Sequence, residues 1–137
     1  MKKIIIFVLM SAGLLMAEVE WRHDYASARS QAQKSGKPMM VLLVSRTCRW
    51  CQKLKNRTLQ NPEISYFINS RFIPVLVYRG EGGFPEIIHS TLVPTTFFLM
   101  PDEKMIIPPV KGYWEPTEYM SDLKLAFEKF KKMQSLH

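Results

Sequence analysis

Residues 38–45 form a near-continuous apolar run, Pro38-Met39-Met40-Val41-Leu42-Leu43-Val44-Ser45, with no polar alternation until its end. Such a run predicts a central strand covered on both faces. Ahead of it, Trp21, Tyr25, Ala28 and Ala32 recur at helical spacing. Gly36 supplies a left-handed cap for that helix, and Pro38 prevents its continuation. After the strand, Thr47 can cap a helix that begins at or near Cys48 and runs to about Leu59, with Leu54 on the same side as Cys51. Asn61-Pro62-Glu63 opens a further helix with a cap, a first-turn proline and an acid near the positive end. Ile64, Phe67 and Ile68 are its apolar stripe.

The second half is more broken. Phe72 to Tyr78 reads as a strand, and Pro74 places it at a sheet edge because proline cannot donate to a ladder. Gly80-Glu81-Gly82-Gly83 is a loop, followed by a short helical piece at 85–90. Thr95–Met100 and Met105–Val110 flank Pro101-Asp102-Glu103-Lys104 and predict a hairpin whose second strand is weakened by Pro108-Pro109. Tyr119, Leu123, Phe127 and Phe130 mark a final amphipathic helix. A β-α-β unit is thus joined to a β-β-α unit. This is an α/β fold with a four-stranded mixed sheet flanked by helices.

The amino terminus has a different character. Lys2 and Lys3 precede an apolar stretch from Ile4 to Met16, and Ala17 offers a cleavage position before Glu18. The stretch is shorter than the ~20 residues a spanning helix needs. The expectation is a signal peptide at 1–17, one globular domain at 18–137, and a periplasmic or secreted product. The chain's 137 residues, 47% of them hydrophobic, suffice for a core without covalent staples. The net charge of +7 does not imply nucleic acid. Lys124, Lys129, Lys131 and Lys132 alternate with Glu118, Asp122 and Glu128 on one solvated helix face, with no basic-aromatic run.

Composition matters most at the cysteines. Cys48 and Cys51 are the only two, spaced C-x-x-C between the buried strand and a helix. A dithiol at a helix start permits disulfide exchange, zinc binding or a structural bridge. Zinc needs two more ligands, and His23, His89 and His137 have no paired spacing. The nine methionines could suggest copper, but Met39, Met40, Met100 and Met105 fall in predicted strands and read as core filling. No metal and no cofactor are expected. A bridge over so short a loop would add little stability. Exchange fits best. Cys48 is placed as nucleophile, where free N–H groups and the helix dipole favour a thiolate. Arg49 adds cationic charge, as does Arg46 on the approach. Cys51, one turn inward, is placed to resolve the mixed disulfide.

Together, the strand–Cys48-Arg49-Trp50-Cys51–helix pattern and the later Val93-Pro94-Thr95 strand start resemble the thioredoxin-like superfamily over nearly all of residues 18–137. Cys48 to Leu54, then Thr58 to Ile64, with Val110-Lys111-Gly112-Tyr113 near the end, are similar to a narrower group. That group includes exported thioredoxin-like proteins and the carboxy-terminal periplasmic domain of the bacterial transmembrane thiol reductase. The resemblance implies a thioredoxin fold, Cys48 as nucleophile and Cys51 as resolving thiol. It also implies Pro94 as a cis-proline and a substrate groove lined by Trp50, Val93, Pro94 and Thr95. Three departures stand out. Leu42 occupies the place of a buried aspartate, Thr47 that of a tryptophan, and Arg49-Trp50 that of Gly-Pro.

The direction of exchange is contested within the sequence. Arg49 favours the reduced form, which would make the protein an oxidant. Only 46 positions separate Cys48 from Pro94, which leaves no room for the helical insertion of the dedicated oxidases in this superfamily. The expectation is a monomeric reductase of protein disulfides, with a membrane thiol reductase as electron donor. A net oxidase and a non-catalytic binding module are the alternatives.

Overall fold

The computed structural model describes residues 18–136. The expected signal peptide at 1–17 lies outside them, as does His137. The sheet is built on β1 (Met39–Val44), every residue of which is buried. Strand β2 (Ile73–Tyr78) pairs parallel to β1 on one side, and β3 (Thr95–Leu99) pairs antiparallel on the other. A two-residue β4 (Val110–Lys111) completes the order β2-β1-β3-β4. The α/β architecture with a four-stranded mixed sheet is therefore the one expected.

Side-chain alternation along β1 divides the core in two. Met39, Val41 and Leu43 face α1 (Tyr25–Ser35), packing with Tyr25, Ala28 and Ala32. Met40, Leu42 and Val44 face α2 (Arg49–Asn56), α3 (Pro62–Arg71) and α4 (Pro116–Ser135). The contacts on that face come from Cys51, Leu54, Ile64, Ile68, Tyr119, Leu123 and Phe130. A strand covered on both faces cannot alternate with polar residues, which explains the unbroken apolar run.

Four local expectations are corrected. Trp21 is not on α1; the helix begins at Tyr25, capped by Asp24, whose carboxylate accepts from Ser27 N at 3.0 Å. The segment before it is extended, and Arg22 bridges the outer edge of β2. Arg22 N donates to Pro74 O, and Leu76 N donates to Arg22 O. Pro74's carbonyl thus faces outward, so the donor proline lacks would also have faced the edge and costs no bond to β1. Helix α2 ends at Asn56, and Thr58–Gln60 form a separate 3-10 turn because the Thr58 hydroxyl bonds Trp114 O. Residues 85–90 make one turn, closed by Ile88 N to Pro85 O, and no helix.

The fourth correction concerns the hairpin. Only Met105 bridges Leu99 and only Val110–Lys111 pair with β3. Pro108 and Pro109 supply no N–H, so the chain loops out between these contacts. Within α4, Ala126 takes the fully buried place, while Phe127 sits partly buried against Phe67 and Phe72.

Asn61 caps α3 through its side chain, which accepts from Glu63 N at 3.0 Å and Ile64 N at 3.3 Å. Asn61→Ala should lower the unfolding free energy by about 1 kcal/mol in urea titration with an unchanged slope. A loss below roughly 0.3 kcal/mol would show that water satisfies these donors equally well.

Candidate active site

The buried β1 ends at Val44, and the chain turns through Arg46 and Thr47 before α2 begins. Cys48 itself caps α2, displacing the expected Thr47 cap. Its backbone is extended, and its sulfur accepts from Cys51 N at 3.1 Å. A sulfur placed where an N-cap oxygen usually sits meets the free donors and positive end of the helix. No acidic residue stands in the first turn to oppose it. Cys51 is bonded to Cys48 as a disulfide. Cys51 is 2% exposed, within the core, whereas Cys48 is only partly buried. Of the two sulfurs, the outer one is therefore the more accessible.

The second segment of the site is the approach to β3. The Val93–Pro94 peptide bond is cis. Cys48 Sγ lies 3.8 Å from the Val93 carbonyl oxygen. Trp50, Leu92, Val93, Pro94, Gly112 and Tyr113 line an open groove of about 380 Å³ beside this contact. Trp50, Val93 and Pro94 are thus brought together near Cys48. Thr95 does not reach the groove. It is fully buried, and its hydroxyl donates to Leu92 O and meets Ser90 Oγ at 3.1 Å. Its place under the loop follows from strand alternation: Thr95 pairs with Leu43, on the α1 side of the sheet.

Arg49 is exposed on the first turn of α2. Arg46 behaves otherwise. Its guanidinium forms a two-point ion pair with Glu81, at 2.7 and 3.0 Å, and stacks on the Tyr78 ring at 4.0 Å. The bonded Arg46 holds the Glu81 carboxyl below its usual range. Its charge is answered within that pair.

Leu42 is fully buried in the core that contains Cys51. Its cross-strand partner Thr96 pairs its hydroxyl with Tyr119 Oη at 2.7 Å. Burial pushes the Tyr119 phenol far above its usual range, so this hydroxyl pair stays neutral.

Sequence reasoning missed several groups around the sulfurs. Lys53 Nζ stands over both the Trp50 ring, at 4.9 Å from its centroid, and the Tyr113 ring, at 4.7 Å. Arg79 links both active-site segments: its N–H donates to Val44 O and its guanidinium to Thr91 O, each at 2.8 Å. The i,i+3 spacing of Trp50 and Lys53 was a readable signal. The Arg79 and Glu81 contacts span a crossover and had no local signal. Among the described residues, no three His, Cys, Asp or Glu side chains gather to hold a metal ion. No helix there is long and apolar enough to cross a membrane.

Comparison with known proteins agrees with this geometry. Spermatogenesis-associated protein 20 of Rattus norvegicus is 31% identical over 78 residues, which are 57% of this chain and 10% of that protein. The chain therefore spans about a tenth of that relative's length. A structure of DsbH oxidoreductase superposes with a TM-score of 0.65 at 19% identity, covering 88% of this chain and 92% of the other. The oxidised carboxy-terminal domain of Neisseria meningitidis DsbD superposes with a TM-score of 0.56 at 18% identity, covering 72% and 89%. At these identities the two structures speak for the fold. The Thioredoxin-like family profile matches residues 20–101, from the extended segment bridged to β2 through the C-x-x-C pair to the end of β3. With its dithiol at the start of α2, this chain belongs to the thioredoxin-like family.

Proposed function

We propose that the chain is an exported thiol–disulfide oxidoreductase that reduces protein disulfides through Cys48 and Cys51. The observation that carries this reading is the Cys48 sulfur at the amino terminus of α2, 3.1 Å from Cys51 N and 3.8 Å from Val93 O. In the reduced protein the Cys48 thiolate attacks one sulfur of a client disulfide. A mixed disulfide forms, and the other client sulfur leaves as a thiolate that takes a proton from water. Cys51, deprotonated, then attacks Cys48 Sγ. The second client sulfur leaves as a thiolate, the client has gained two electrons, and the Cys48–Cys51 disulfide remains.

Regeneration needs an external dithiol. The likeness to the DsbD carboxy-terminal domain supports a membrane thiol reductase as that donor. The signal-like residues 1–17 support a periplasmic or secreted location. Cys51 and Leu42 are buried in the same apolar core. One observation favours net oxidation instead: the helix terminus and Arg49 stabilise the Cys48 thiolate, and hence the reduced form. A neutralised Arg46 moderates that effect.

Cys48→Ser should abolish reduction of insulin disulfides by the protein with dithiothreitol as donor. Cys51→Ser should accumulate mixed disulfides with clients, visible as thiol-sensitive adducts on non-reducing gels. If both variants match the wild type, the dithiol is incidental and a binding role replaces the enzymatic one. In the reduced protein, alkylation by iodoacetamide should occur first at Cys48, with a thiolate pKa below the ~8.5 of a free cysteine. First modification at Cys51, or a Cys48 midpoint at or above ~8.5, would contradict the assigned roles.

A further inference from the structure

The turn after β2 pairs with Arg46, on the segment that leads into Cys48. Arg46 stands two residues before Cys48, so their Cα atoms are no more than about 7 Å apart. An unpaired guanidinium there would add to the thiolate stabilisation supplied by the helix terminus and Arg49. Instead, Glu81 accepts both Arg46 Nε and Nη2, and the guanidinium lies flat on Tyr78. Gly80, Gly82 and Gly83, all at positive φ, allow the chain to curl so that Glu81 faces back toward Arg46. The neighbouring Arg79 ties the same turn to Val44 O and Thr91 O.

We propose that Glu81 is a positioning residue for the Cys48 thiolate: by pairing Arg46 on Tyr78 it removes that charge from the field at the sulfur and sets how readily Cys48 ionises. This rests on Cys48 being the exchanging thiol. Neither Arg46 nor Glu81 touches a sulfur.

The segments meeting at the disulfide carry several other charges. Arg49 and Lys53 are on α2, Arg79 is on the turn after β2, and Lys111 and Glu115 lie around β4 and its exit. Among the described residues, none of these is in a salt bridge. Lys53 is held over the Trp50 and Tyr113 rings, and Glu115 accepts from Tyr113 Oη. The Arg46–Glu81 pair is therefore the one place at the site where a cation's charge is cancelled by a bonded anion. Both side chains are largely exposed, at 66% and 47%, so the effect must be modest and sensitive to salt.

The sign pattern distinguishes a charge effect from a brace. Glu81→Gln leaves a lone cation near Cys48 and should raise its alkylation rate below the thiolate pKa by about twofold at low salt. Arg46→Gln leaves a lone anion and should lower the rate by a similar factor. The double variant should return close to the wild-type rate. In 1 M NaCl the shifts should largely vanish. Single variants shifted in the same direction would show a merely structural brace and overturn the proposal. Unchanged rates in both would overturn it as well. The readout is the rate at one thiol in the reduced protein, so it does not depend on client turnover. Failure of the Cys48→Ser activity loss would instead refute the reading on which the proposal rests.

Discussion

The site depends on a single hydrogen bond, from Cys51 N to the Cys48 sulfur, made at the amino terminus of α2. That bond turns a cysteine into the cap of its own helix. It exists because β1, buried on both faces, delivers the chain to a fixed point at the sheet's end, and because Leu54 and Cys51 anchor α2 against the same face. If the helix were moved, the sulfur would lose the donors that favour its charge. If β1 were moved, nothing would hold the helix against the sheet. Fold and reactivity are thus one constraint, imposed by a strand too apolar to lie anywhere but the centre.

Around that constraint the chain has arranged its charges unevenly. Cys48 sits at the positive end of α2, with Arg49 exposed beside it. Glu81 pairs with Arg46, and the core holds a buried Thr96–Tyr119 hydroxyl pair. These choices affect the two sulfurs separately. The outer one lies partly exposed at the helix terminus, the inner one within the core. An account that assigned the pair a single property would miss this division.

Much of this was legible in the sequence, for identifiable reasons. Met39–Val44 read as a central strand, and Cys48 and Cys51 as the start of the helix that follows it. Pro74 announced the sheet edge. What escaped was governed by contacts distant in sequence. Trp21 shares the helical spacing of Tyr25 and Ala28, but Arg22 pairs with β2 and holds that segment extended. Met105–Val110 has strand composition, but the two prolines between its ends remove the donors a ladder needs. The resemblance implied Thr95 as groove lining, yet strand alternation turns it to the buried face. Arg46 read as a free cation because its partner comes 35 residues later.

The central claim is that Cys48 and Cys51 form a redox couple poised to give electrons to client disulfides. Its most direct test is the equilibrium potential of the pair, measured against glutathione buffers of known composition. The account predicts reversible two-electron exchange with a potential more reducing than about −200 mV. A value near about −120 mV, among strong oxidants, would reverse the assigned direction, and a bond that glutathione never opens would contradict the redox role itself.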